Sequence, residues 1–151
     1  FIALQGEALY AGFYVLELLT RLLRERQQEP QVFQSAMRVL EALEEDDPLQ
    51  PALRRFELEL LDHLGYGIDF SVAGERLRDS AVYWFEPKVG FHLVNRDSGP
   101  VRSVSGKVLQ AIARRDCADP AALDAAKLLM RSAIEPLLGN KPLTSRKMFQ
   151  R

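Results

Sequence analysis

Pro51-Ala52-Leu53-Arg54-Arg55-Phe56-Glu57-Leu58-Glu59-Leu60-Leu61-Asp62-His63-Leu64-Gly65-Tyr66-Gly67 reads as an amphipathic helix that carries its own stop signal. Leu53, Phe56, Leu60 and Leu64 recur at spacings of three and four, the period of one helical face. Arg54, Arg55, Glu59 and His63 fall off that stripe. Gly65 can take the left-handed conformation just past a helix end without the penalty a Cβ would bring. With Pro48 as its start, this helix is predicted over about 48–64.

Working towards the N-terminus, Pro30 suits the first turn of a second helix, where proline's missing N–H is harmless. Phe33, Ala36, Met37, Leu40 and Leu43 give that helix an inner face, and Glu44-Glu45-Asp46-Asp47 and Pro48 close it. Residues 8 to about 27 predict a further helix on Leu9, Phe13, Leu16, Leu19 and Leu23. Tyr10, Tyr14, Val15, Leu18 and Leu22 widen its apolar face, so it is expected to be largely buried. Its exit, residues 24–28, is polar and rich in arginine, as suits the negative end of a helix. Three helices with short connections predict an antiparallel bundle.

Towards the C-terminus the pattern changes. Val82-Tyr83-Trp84-Phe85-Glu86 and Gly90-Phe91-His92-Leu93-Val94 are short, aromatic and β-branched, with Pro87-Lys88-Val89-Gly90 between them: a β-hairpin or small sheet. Residues 95–100 are turn chemistry. Helix is predicted again over 106–115 and 120–138, the latter with Asp119 as N-cap and Pro120 at its first position. Leu123, Ala126, Met130, Ala133, Ile134 and Leu137 form its buried face, and Gly139-Asn140 stops it. The expected fold is mainly α, a helical bundle with a small β-hairpin-containing insertion. It is organised as a core bundle (1–67), a β-containing segment (68–105) and C-terminal helices with a basic tail (106–151), packed as one compact unit.

The 151 residues carry 20 basic and 21 acidic side chains, so net charge does not single out nucleic acid, and any such role rests on local patches. One cysteine, Cys117, rules out an internal disulfide framework and fits a reducing compartment. His63 and His92 lie far apart, without Cys/His spacing of structural-zinc type. No stretch approaches the roughly 20 apolar residues of a membrane span, and the opening residues are not expected to act as a signal peptide. Phe1-Ile2-Ala3-Leu4 begins in mid-pattern, which leads us to expect a piece of a longer protein.

Catalytic constellations are scarce. Cys117 has arginines near it but no histidine close in sequence, so an incidental thiol is the plainer reading. Gly106-Lys107 resembles the end of a phosphate-binding loop, but Val101 and Val108 stand where that motif needs glycine and Ser/Thr. Glu57, Glu59 and Asp62 read as a solvated helix face paired with Arg54 and Arg55. His63 suits a helix C-terminus, and His92 packs or faces solvent. Trp84, Tyr83, Phe85 and Phe91 form either a base-stacking platform or, more often for such a strand pair, core cover. Binding is therefore a better expectation than catalysis. The Arg54-Arg55 pair can grip a carboxylate or pair within its own helix. The tail Lys141-Pro142-Leu143-Thr144-Ser145-Arg146-Lys147 can track phosphates or merely solubilise a terminus.

Three stretches resemble one known family. Residues 51–67 resemble the hallmark stretch of bacterial RecO proteins. Leu9-Tyr10-Ala11-Gly12-Phe13-Tyr14-Val15-Leu16-Glu17-Leu18-Leu19 resembles the helix entering that family's helical domain, and Leu137-Leu138-Gly139-Asn140-Lys141-Pro142-Leu143-Thr144-Ser145-Arg146 its C-terminal ending. Order and spacing agree across essentially all 151 residues. The resemblance implies a cytoplasmic, non-enzymatic mediator of recombination and DNA repair, associated with the nucleoid and without a cofactor. Such proteins bind single- and double-stranded DNA, anneal strands and help load RecA onto DNA covered by single-strand-binding protein (SSB). Implied partners are RecR and the acidic, phenylalanine-ended tail of SSB, with no membrane. A full-length member also begins with an OB-fold, which these 151 residues are expected not to include. Some members carry a four-cysteine zinc site after the Gly-Tyr-Gly turn; residues 68–105 hold no cysteine, so a zinc-less version is expected.

Tail recognition in similar proteins uses a hydrophobic pocket flanked by a basic side chain. The resemblance thus points to Arg54 or Arg55 beside Leu40, Leu43 and Leu61. DNA contact is expected through Lys141, Arg146, Lys147, Arg102, Lys107, Arg114 and Arg115. The rival reading is a helical scaffold or DNA-binding platform that supports an OB-fold without taking the tail itself.

Overall fold

In the computed structural model, residues 2–23, 29–95 and 102–149 are described. Their helices are α1 (Gly6–Leu22), α2 (Pro30–Glu44), α3 (Leu49–Leu64), α4 (Gly106–Ala113), α5 (Pro120–Leu138) and a single turn, α6 (Arg146–Phe149). The strands are β1 (Ser71–Val72), β2 (Glu75–Arg76), β3 (Val82–Glu86), β4 (Gly90–Leu93) and β5 (Val104–Ser105). The architecture is mainly α with small antiparallel sheets. Punctuation explains most boundaries. Pro30 opens α2, Gly65 ends α3 at φ 85°, and Pro120 and Gly139 bracket α5. Asp119 occupies the N-cap of α5, but its side chain makes no capping hydrogen bond; Ser105 does cap α4, accepting from the Val108 N–H at 3.2 Å. α1 ends at Leu22 and α4 at Ala113, each shorter than expected. The polar exit at 24–28 and most of the turn at 95–100 lie outside the described residues.

α2 and α3 form the most extensive helix pair, with α5 laid across α3 and α1 against both. One apolar cluster runs through all of them, from Ala11 and Val15 on α1 through Val39, Phe56, Leu60 and Leu61 to Met130, Ile134 and Leu143. The first helix buries only part of the broad face expected: Val15, Leu18 and Leu19 of that set are inside. Ala11, Val15 and Leu18 are buried, whereas Leu9, Phe13 and Leu16 are exposed, and on α2 Phe33 and Met37 are exposed as well. Gly12 faces Leu40 of α2, and a Cβ there would strike Leu4. Small residues at this crossing let the helices approach, and closeness, not side-chain bulk, selects the buried face.

The β segment forms two sheets. β1 and β2 make a hairpin whose two connecting residues, Ala73 and Gly74, have φ of 53° and 80°, the positive values that a tight two-residue hairpin turn requires. β3 is central to the second sheet, in the order β4-β3-β5. Tyr83 and Phe91 point into the core, with Phe70 and Phe85 packed on Phe91 at ring separations of 5.6 and 5.1 Å. The opposite face carries Trp84 stacked on His92 across the strand pair at 4.4 Å, with Glu86 3.1 Å from the imidazole. The aromatics thus divide: Tyr83, Phe85 and Phe91 cover core, while Trp84 stacks on a neighbour. The chain passes into α4 at Gly106, where any Cβ would collide with the carbonyl of Arg78, so only glycine fits this crossing.

Candidate functional site

Successive residues on an α-helix point about 100° apart, so neighbouring arginines face different ways. Arg54 and Arg55 do so. Arg55 is exposed at the rim of a cavity of about 470 Å³ between α2, α3 and the segment joining α4 to α5. Its floor is Val39, Ala42, Phe56 and Cys117. Three cations (Arg38, Arg55, Arg115) meet three acids there (Asp47, Glu59, Asp116), so the lining is charge-balanced. Arg38 bonds Glu59 at 3.1 Å, beside Ser35 at 2.7 Å from the same oxygen, and Arg115 pairs with Asp62. Burial pushes the Cys117 thiol up and the Arg54 charge only partly offsets this, so the thiol is a poor nucleophile.

Arg54 turns the other way and is 6% exposed, a correction to its expected place on a solvated face. It lines a second cavity, of about 340 Å³, formed by α1, α3, α5 and α6. Leu53, Ile134 and the Tyr14 ring supply apolar wall. Arg54, Lys127, Arg131 and Arg146 supply four cations against a single carboxylate, Glu57. Glu57 is also corrected: expected among solvated acids, it is 2% exposed. Its Oε1 lies 2.7 Å from Arg54 Nε, and its Oε2 accepts the Tyr14 hydroxyl. Burial raises the Glu57 carboxyl above its ordinary value, and Arg54 and the Tyr14 hydrogen bond offset part of that rise.

The apolar residues expected beside the arginines lie elsewhere. Leu43 and Leu61 are buried in the core, and Leu40 packs by Gly12, so none of the three lines either cavity. The expected DNA-contacting cations separate into two groups. Arg146 and Arg115 line the two cavities, whereas Arg102, Lys107, Arg114, Lys141 and Lys147 are exposed.

The C-terminal segment is held, not free. Arg21 donates to the carbonyls of Leu138, Lys141 and Pro142. Glu17 accepts from the Thr144 N–H at 2.7 Å and from the Ser145 N–H and hydroxyl at 2.9 and 2.7 Å. This clamp delivers Arg146 to the cavity wall. Burial acts to raise the Glu17 carboxyl, but the Ser145 and Thr144 hydrogen bonds outweigh it and bring the carboxyl below its ordinary value. A depressed folded-state value means the clamp contributes stability above the unfolded pKa and loses it as pH falls through the folded one. In wild type, hydrogen-exchange protection of the Thr144 and Ser145 amides is therefore expected to hold through the ordinary carboxylate range and to drop only at more acid pH, as Glu17 takes up its proton. Glu17→Gln is expected to lose about tenfold in protection already at neutral pH, as a charge-assisted acceptor becomes neutral. Unchanged protection in that variant would disprove the clamp.

Among the described residues no group of three or more His, Cys, Asp or Glu side chains could hold a metal, and no helix is long and apolar enough to cross a membrane. Residues 3–147 match the family model described as "Recombination protein O C terminal". The chain is 42% identical over 149 residues to the DNA repair protein RecO of Stutzerimonas stutzeri, covering 97% of this chain and 62% of that protein. It is 40% identical over 152 residues to the protein of the same name from Actinobacillus succinogenes (98% and 63%). For the one from Pseudoalteromonas translucida the figure is 43% over 148 residues (97% and 63%). The chain thus spans a little under two thirds of the length of these curated relatives.

Proposed function

We propose, given that this chain belongs to the recombination protein O C-terminal family, that it works in DNA repair and recombination by binding, not by turnover. Its cationic cavity around Arg54 takes the acidic, phenylalanine-ended tail of SSB. The observation that carries this reading is the lining: four cations against one carboxylate, beside the apolar surface of Leu53, Ile134 and Tyr14. The terminal phenylalanine ring packs on that surface, its carboxylate meets Arg54, and the acids preceding it meet Lys127, Arg131 and Arg146. Apolar burial supplies affinity and charge-assisted contacts fix orientation. The cavity at Arg55 has a similar floor but no charge excess, which favours Arg54 over its neighbour for an acidic ligand. On this reading Leu40, Leu43 and Leu61 support the bundle and do not touch the tail.

The wider role follows the family. A protein docked on SSB is placed to help RecA onto the covered strand and to anneal strands, with RecR as a further partner. The exposed Arg102, Lys107, Arg114, Lys141 and Lys147 are the side chains offered for phosphate contact with single- or double-stranded DNA.

Fluorescence anisotropy with a labelled tail peptide tests the docking. Saturable binding is expected, lost in a peptide lacking its terminal phenylalanine, weakened by salt and unaffected by Arg55→Ala. If the folded protein ignores the peptide, the tail docks outside this chain. The scaffold or DNA-platform reading then takes over, recognised by a DNA affinity that falls steeply with salt.

A further inference from the structure

Glu57 sits in the wall of the cationic cavity in an awkward place for a charge. Its Oε1 and the Arg54 Nε are 2.7 Å apart, yet neither atom has a hydrogen-bond partner among the described residues. The N–H does not point along the line between them, so this contact is Coulombic attraction without a formed bond. Among the described residues, the carboxylate's hydrogen bond comes from Tyr14 on α1. Arg131 and Lys127 from α5, Arg146 from α6 and Cys117 from the segment before α5 complete its surroundings. Burial already pushes this acid up, and the Arg54 charge is the first influence holding it down. Anything that draws Arg54 away, or adds a second negative charge beside it, favours the neutral acid.

Resting on the reading of this cavity as a carboxylate site, we propose that Glu57 positions Arg54 for the ligand and takes up one proton as the ligand's carboxylate enters. The unpaired Arg54 N–H turns to the incoming carboxylate. Glu57, itself 2% exposed, then faces a like charge, and two carboxylates so placed share a proton. The proton comes from solvent and bonds to Oε1. From there the neutral acid can donate to a ligand oxygen, while Oε2 keeps the Tyr14 hydroxyl. By linkage, ligand affinity rises as pH falls, by up to about tenfold per pH unit where a full proton is bound. A merely structural glutamate would give no such slope.

The experiment measures affinity from pH 5.5 to 8.5 for wild type and Glu57→Gln. One probe is the acidic phenylalanine-ended peptide; the other is 3-phenylpropionate, a plain aromatic carboxylate followed by chemical-shift titration. Wild type is expected to tighten severalfold per unit towards low pH, and Glu57→Gln to bind with a nearly flat profile. Calorimetry of wild type in two buffers of different ionisation enthalpy gives the proton count directly, even if the variant fails to fold. Uptake approaching one proton supports the proposal, and zero overturns it. Equal slopes in both proteins, or a flat wild-type profile, also overturn it. If the peptide does not bind but 3-phenylpropionate does, with a slope that depends on Glu57, the tail reading falls and the role of Glu57 stands. If neither ligand binds, both fall.

Discussion

Replacing Phe56 by alanine is expected to lower the unfolding free energy by about 3–5 kcal/mol, a large part of what holds a domain of this size folded. Phe56 is 1% exposed and stands on α3 where that helix meets α2, the most extensive helix contact in the molecule. Truncation removes transfer free energy and also leaves a void that rigid neighbours fill only in part. Its far side forms the floor of the Arg55 cavity, so the void would merge with that cavity and admit water. Phe13 and Phe33, equally periodic in sequence, are 46% and 54% exposed, and their alanine variants are expected to cost under about 1 kcal/mol. Urea unfolding of the three variants checks this. Similar midpoints for all three would mean that α1 and α2 bury the Phe13 and Phe33 faces after all.

That contrast marks how far the sequence can be read. The boundaries of α2, α3 and α5 were legible because proline and glycine act locally, through φ and a missing N–H. β3 and β4 were legible because β-branched and aromatic residues crowd into short runs flanked by turn residues. The inward face of α1 was legible only in part, through Val15, Leu18 and Leu19. That helix is apolar nearly all round, so Leu9-Phe13-Leu16 and Ala11-Val15-Leu18 both satisfy the helical period. Which set is buried depends on Gly12 meeting Leu40 from another helix. β1, β2 and β5 have two residues each, too few for periodicity, and β5 pairs with a strand some twenty residues away. The arginine pair stood out in sequence, but the rest of its site did not. Tyr14, Lys127, Arg131 and Arg146 come from three other helices, and no local pattern joins them to Arg54. The basic tail looked free because its anchors, Glu17 and Arg21, lie some 120 residues earlier.

Arg54→Ala is expected to abolish binding of the acidic tail and to cost as much stability as a core truncation, but in a pH-dependent way. Removing one member of a buried ion pair leaves the other charge uncompensated, typically about 3–5 kcal/mol. Glu57 can limit that cost by taking a proton. Its folded-state pKa already lies above its ordinary 4.5, and losing the Arg54 charge raises it further. A raised folded-state pKa means stability is fully present below the unfolded value and is lost as pH rises through the folded one. The deficit of Arg54→Ala is therefore expected to be small near pH 4, where the acid is neutral folded or unfolded, and to reach its full size near pH 8. Arg54→Met/Glu57→Gln, which removes both charges and keeps a partner for Tyr14, is expected to recover most of the loss without recovering the ligand. Arg55→Ala, exposed on the charge-balanced side, is expected to stay within about 0.5 kcal/mol of wild type and to bind the tail normally. Urea titrations at pH 5 and pH 8 separate these cases. A deficit for Arg54→Ala below about 1 kcal/mol at both pH values would mean that water solvates the Glu57 charge and that Arg54 and Glu57 are not the coupled pair proposed for this site.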